Sequence, residues 1–192
     1  MFHPKGSITV ITGCMFSGKS ELSLRELRRA EVARRRILLL RPAVDDRVGG
    51  EQVSSRSGAA YPARSISHSA QILPLAIAIA ADLVAIEEAQ FLDAGVVEAV
   101  ETLAERHCQV IVNGLNQDFA GRPFGSMPAL MAIADRVLVL TAICTVCGEE
   151  ATKTQRLLGG APVSLADPLV LVGGFADERY EARCRTHYVR PR

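Results

Sequence analysis

The stretch GCMFSGKS, residues 13–20, directly follows the apolar run SITVIT, and this pairing constrains the fold more than any other feature of the chain. It fits G-x-x-x-x-G-K-[ST], the P-loop signature, whose chemistry follows from its parts. Gly13 and Gly18 let the backbone turn tightly, so that N–H groups along Cys14, Met15, Phe16 and Ser17 can face phosphate oxygens. A helix starting near Lys19 adds the positive end of its dipole. Lys19 in such a loop reaches the β- and γ-phosphates, and the Ser20 hydroxyl ligates Mg²⁺. A glycine-bearing turn with a chance Gly-Lys-Ser would match the same letters. Here the context is right: a β-rich run precedes the motif, and the helical pattern ELSLRELRRAEVARRR follows it. Leu24 and Leu27, with Val32 or Ala33, can form the apolar side of that helix, and Glu21 stands four residues before Arg25.

Strand-like runs recur at RILLLR, DLVAIEE, CQVIVNGL and DRVLVLTAI, and helical patterns at residues 19–34, about 70–80, about 93–106 and 126–134 fall between most of them. The runs are continuously apolar, as expected for a parallel sheet buried on both faces. The expected fold is therefore α/β, a mostly parallel P-loop-type sheet flanked by helices. The Gly-, Ser- and Pro-rich segment from Arg41 to Arg64 breaks the rhythm and reads as a long, mobile, functional loop. After Ile143 the pattern changes to cysteines, glycines and short strand-like pieces. The chain thus divides into an α/β unit, residues 1–141, and a small metal-binding unit, residues 142–192.

Two constellations carry chemistry beyond the loop. Glu87 and Glu88 end the run DLVAIEE, where an acid at the strand end helps hold Mg²⁺. A second carboxylate beside it can face the acceptor of a phosphoryl group and take its proton. Adjacent residues at a strand end aim apart, so Glu87 suits the metal and Glu88 the acceptor. An exposed acidic pair opening a loop is the plainer alternative, and the loop upstream argues against it. Cys144 and Cys147 in CTVCG, with Cys184 and His187 in CRTHY, form two x-x-spaced pairs joined by a longer connection. That is the layout of a closed, structural Zn²⁺ site. Such a metal would tie the ends of residues 148–183, a stretch that reads as a flexible loop poor in buried side chains. Cys14 and Cys108 belong to neither pair and read as buried thiols.

Charge adds little, because 22 Lys and Arg against 21 Asp and Glu leave a net +1 and give no global case for nucleic acid. The arginines of RRAEVARRR read as a solvated helix face. No apolar N-terminal segment resembles a signal peptide. The run ILPLAIAIAADLVAI is broken by Pro74 and Asp82 and is too short to cross a bilayer. The expectation is a cytoplasmic protein.

With these residues in place, the chain resembles the type II thymidine kinases, the P-loop and zinc-ribbon class. GCMFSGKS, RPAVDDR, EEAQFL, GLNQDFAGRPFG, CTVCGEEATKTQR and YEARCRTHY occur in the family's order. The resemblance implies transfer of the γ-phosphate of ATP to the 5′-hydroxyl of thymidine or deoxyuridine. Glu88 matches the general base, while Lys19 and Ser20 match the phosphate and Mg²⁺ contacts. Asp45 and Arg47 match residues at the reacting phosphates. Met15, Phe91, Leu115, Phe119 and Phe124 match the nucleoside pocket. Thr154, Gly173 and Tyr180 match positions near base and sugar on a loop called the lasso. The Cys144, Cys147, Cys184 and His187 set matches the zinc ligands. The resemblance also implies a homotetramer inhibited by thymidine triphosphate. The chain departs from the family pattern with Glu87 where Asp is usual, Arg41 where Lys is more usual, and a longer segment between Gly174 and Tyr180.

Other readings stay open on the residues alone. They are a P-loop ATPase that grips nucleic acid through the zinc ribbon, a nucleotide-binding regulator without chemistry, and another small-molecule kinase. The C-terminal arginines favour the first, but Asp177, Glu178 and Glu181 dilute them and no run of stacking aromatics accompanies them.

Overall fold

The structure is a computed structural model, and it describes residues 6–43, 52–54, 60–167 and 178–192 of the chain. Its first half alternates strands and helices: β1 (Ile8–Gly13), α1 (Lys19–Val32), β2 (Ile37–Pro42), β3 (Gln52–Ser54), β4 (Ala60–Pro62), β5 (Arg64–Ile66), α2 (Ile72–Ala78) and β6 (Leu83–Ile86). Then come α3 (Val96–Glu105), β7 (Gln109–Leu115), α4 (Met127–Ile133) and β8 (Arg136–Leu140). Six strands form one sheet in the order β5-β2-β6-β7-β1-β8, every neighbouring pair parallel.

The period-two geometry of a strand divides the core into two layers. Val10, Leu38, Leu40, Val84, Ile86, Val110 and Val112 point to one face, against Ile72, Val96, Val100, Met127 and Leu130 of α2, α3 and α4. Ile11, Leu39, Leu83, Ala85 and Ile111 point to the other, against Leu24, Leu27 and Ala30 of α1. Both faces are covered, which is why the strands lack polar alternation. On α1 the apolar side closes with Ala30. Val32 is 86% exposed and Ala33 is also exposed, so neither completes the stripe.

The described residues of the Arg41–Arg64 segment include strand pairings that its composition does not suggest. β3 and β4 pair antiparallel, and β5 joins the edge of the main sheet beside β2. Three-residue strands carry too little periodicity to stand out from a Gly- and Ser-rich background.

The C-terminal part is built on β9 (Ala142–Ile143), β10 (Glu150–Ala151), β11 (Lys153–Leu158), β12 (Ala161–Pro162) and β13 (Glu178–Arg183). β9 pairs with β10, and β12-β11-β13 form a three-stranded antiparallel sheet. The described residues of 148–183 are therefore not poor in buried side chains: Ala151, Thr154, Gln155, Arg156, Leu157, Val163 and Ala182 are all buried. Arg156 donates to Glu178 Oε1 across β11 and β13 at 2.6 Å, with both side chains nearly out of solvent. Cys14 packs with Ala142, Cys144, Ala151 and Ala182 and gives its S–H to Ala151 O at 3.3 Å. This small cluster joins the glycine loop to the metal-type site. No helix among the described residues is long and apolar enough to cross a membrane.

Candidate active site

The glycine loop leaves β1 between its two parallel neighbours, at the carboxyl edge of the sheet, where open α/β sheets place their ligands. Gly13 has φ +146, and a Cβ there would sit 2.2 Å from Leu140 O, so only glycine lets the loop start against β8. The loop ends on Gly18 at φ 83, and α1 begins at Lys19. Lys19 is buried, with its Nζ donating to Cys14 O at 2.8 Å. Burial lowers its pKa, and the nearby Glu88, Cys14 and Glu87 act in the opposite direction.

Glu87 follows β6 and reaches back to the loop. Ser20 Oγ donates to its Oε2 at 3.1 Å. Asn113 Nδ2, on β7, donates to both of its oxygens at 3.0 and 2.9 Å. The carboxyl is 2% exposed, and burial pushes its pKa up to about 7; adjacent Glu88 adds to the rise, while the Ser20 and Asn113 bonds oppose it. Ser20 and Glu87 are thus oxygen groups side by side at the foot of the loop, a donor set that suits Mg²⁺.

Glu88 has a different hydrogen-bond partner from its neighbour. Its φ of 48 and ψ of 42 place it in the left-handed region, a costly conformation for a residue with a Cβ. Its Oε2 accepts from Gln90 Nε2. Beyond it, Phe91 and Phe124 meet edge to face with centroids 5.4 Å apart, and half-buried Leu115 ends β7. Phe119 packs with Ala120 and Val163, and the Arg156 guanidinium lies over its ring at 5.2 Å. The C-terminal sheet closes on the loop through Thr154, whose Oγ1 accepts from Met15 N at 3.0 Å. Tyr180 stands opposite Arg156 on β13 and donates its hydroxyl to Glu178 Oε1 at 3.0 Å. Asp45, Arg47 and Gly173 lie outside the described residues. Asn113 and Gln90 were not singled out from the sequence, although each is a polar residue inside or just after an apolar strand.

Cys144, Cys147, Cys184 and His187 come together with all ligand atoms within 4.8 Å of one another. Cys147 Sγ and Cys184 Sγ are 3.8 Å apart, which is the edge of a tetrahedron with metal–sulfur bonds of about 2.3 Å. His187 Nδ1 lies 3.2 Å from Cys184 Sγ and 3.9 Å from Cys144 Sγ. Desolvation raises the Cys144 pKa, but backbone N–H groups of Cys184, Val146 and Cys147 and the Cys147 thiol outweigh it and bring it down to about 6. The set fits Zn²⁺, with four protein ligands and no position left open. Cys14 and Cys108 are buried free thiols outside the ligand set, as expected.

A cavity of about 650 Å³ at the opposite edge of the sheet is lined in part by Arg34, Arg35, Arg36, Arg106 and His107. The last turns of α1, α2 and α3 end there, so these cations stand where helix dipoles favour them. Arg36 is also held by Asp82 at 2.9 and 3.0 Å. That accounts for the arginine run after α1 and leaves the chemistry at the carboxyl edge.

The fold and the site define an α/β protein with its reactive groups at the strand ends and a Cys₃His cluster beside them. Its fold is similar to that of the flagellar accessory protein FlaH from Methanocaldococcus jannaschii, with a TM-score of 0.52 at 14% identity, over 77% of this chain and 76% of that one. The family model described as thymidine kinase matches residues 6–188, nearly the whole chain. The chain belongs to the thymidine kinase family. Membership supports thymidine kinase activity in general and implies thymidine and ATP as substrates.

Proposed function

We propose that the protein transfers the γ-phosphate of ATP to the 5′-hydroxyl of thymidine or deoxyuridine, a step of pyrimidine salvage for DNA synthesis. The observation that carries this reading is the split carboxylate pair. Glu87 is bonded to Ser20 of the glycine loop, while Glu88 is bonded to Gln90, the residue before Phe91, and lies near Lys19 of the loop.

The loop amides from Cys14 to Ser17, with Lys19, hold the triphosphate, and Asp45 and Arg47 meet the reacting phosphates. Ser20 and Glu87 would hold Mg²⁺, which supplies charge neutralisation on the β- and γ-phosphates. The 5′-oxygen attacks the γ-phosphorus, its bond to phosphorus forms as the bond to the β-phosphate oxygen breaks, and ADP leaves. Glu88 takes the hydroxyl proton. Met15, Phe91, Leu115, Phe119 and Phe124 enclose the nucleoside, while Thr154, Gly173 and Tyr180 approach base and sugar from the C-terminal unit, residues 142–192. Zn²⁺ on the Cys₃His set holds that unit in shape against the α/β unit, residues 1–141. In the same reading the enzyme is a cytoplasmic homotetramer inhibited by thymidine triphosphate.

The test is a phosphate-transfer assay with radiolabelled ATP across the natural deoxynucleosides, with product identification. Thymidine and deoxyuridine are expected to react. A purine needs room for a second ring and leaves buried backbone groups unpaired at roughly 1–3 kcal/mol each. Deoxycytidine is also expected to be poor, because its amine is a donor where thymine has an acceptor. Glu88→Gln should lower turnover by about 10²-fold or more with ATP binding retained. Equal efficiency on thymidine and deoxyguanosine, or ATP consumption driven by single-stranded DNA and not by thymidine, would overturn the assignment.

A further inference from the structure

We propose that Gln90 is a positioning residue that aims the Glu88 carboxylate and ties it to the end of β7. The inference rests on the reading of Glu88 as the proton acceptor.

Glu88 needs such a partner. It is a half-buried residue on a left-handed backbone, beside a second carboxylate, and its side chain has several rotatable bonds. Nothing in that backbone fixes where its oxygens point. Gln90 supplies the constraint. It is 3% exposed, and both ends of its amide are committed: Nε2 donates to Glu88 Oε2, and Oε1 accepts from Leu115 N at 3.0 Å. With Oε2 taken, Oε1 is the oxygen left to meet a hydroxyl.

The seat of Gln90 is built by its neighbours. A Cβ on Gly114 would lie 2.5 Å from Gln90 Oε1 and 2.6 Å from Met127 Sδ. A Cβ on Gly125 would lie 2.2 Å from Gln90 O, and that glycine has φ +49. Two chain segments therefore give up side chains to bring Gln90 close. One of them ends in Leu115, and the other follows directly on Phe124, which packs on Phe91. Gln90 thus holds the carboxylate in the same frame as the side chains proposed to enclose the nucleoside. A group that must be placed within a fraction of an ångström of its partner depends on such support.

The test is a double-mutant cycle on the full, zinc-loaded chain. Gln90→Glu keeps the size and the acceptor for Leu115 N–H but removes the donor to Glu88. Gln90→Met keeps the volume and removes both. Each should lower kcat by about tenfold or more while KM for thymidine stays within about threefold. In the Glu88→Gln background the same changes should cost less than about threefold, because the group they act through is already gone. Near-normal kcat in both single variants would overturn the proposal. So would the same fold-loss repeated in the Glu88→Gln background, or failure of both Gln90 variants to fold, since each makes Gln90 a packing residue. Near-normal turnover of Glu88→Gln alone would instead sink the base assignment on which this inference rests.

Discussion

Glu87 gives a stability measurement that checks the site without a substrate. Its carboxyl is raised from an ordinary 4.5 to about 7, chiefly by burial. Below the unfolded value both states carry the proton. Between the two values the folded state holds it and the unfolded chain does not, so stability falls as pH rises. At about 1.4 kcal/mol per unit, the full effect is about 3 kcal/mol, present below pH 4.5 and lost as pH passes 7. Glu87→Gln cannot titrate, and its amide oxygen can keep the Ser20 contact and one of the two Asn113 bonds. Groups that do not interact with Glu87 cancel when the two proteins are compared. Urea unfolding at several pH values, with Zn²⁺ retained and Mg²⁺ and nucleotide absent, should show the wild type losing about 3 kcal/mol relative to Glu87→Gln between pH 4.5 and 8. A difference that does not move with pH would refute the burial argument for this carboxyl.

Three further outcomes follow from the geometry. Metal analysis should find about one Zn²⁺ per chain, and Cys147→Ser should lower that content and speed hydrogen exchange in β10, β11 and β13; a metal-free protein with full activity would contradict it. Lys19→Ala should weaken ATP binding and turnover together, read by calorimetry and by steady-state rates, because one cation serves both ground and transition state. Glu178→Ala removes the acceptor shared by the Arg156 guanidinium and the Tyr180 hydroxyl, and thermal or urea unfolding should show a loss of about 1.5–3 kcal/mol.

Much of this protein was legible because its signals are local. The strands β1, β2, β6, β7 and β8, and the four helices between them, announce themselves by apolar runs and helical spacing, which depend only on the geometry of each element. The glycine loop, the acidic pair and the two x-x-spaced ligand pairs are likewise short patterns in which covalent spacing fixes the chemistry. Spacing could nominate Cys144, Cys147, Cys184 and His187, but only the fold brings the second pair to the first, with all ligand atoms within 4.8 Å. The tertiary structure also decided what short segments do. It drew β5 into the sheet edge and paired β11 with β13 along six residues, because pairing with a distant strand outweighs weak local preference. It alone shows Asn113 holding Glu87 from 26 positions away and Gln90 reaching Leu115 across 25. A side-chain amide has no periodicity and no motif of its own. Its role comes from the groups that folding places within 3 Å of it, and that information exists only once the strands have found their neighbours.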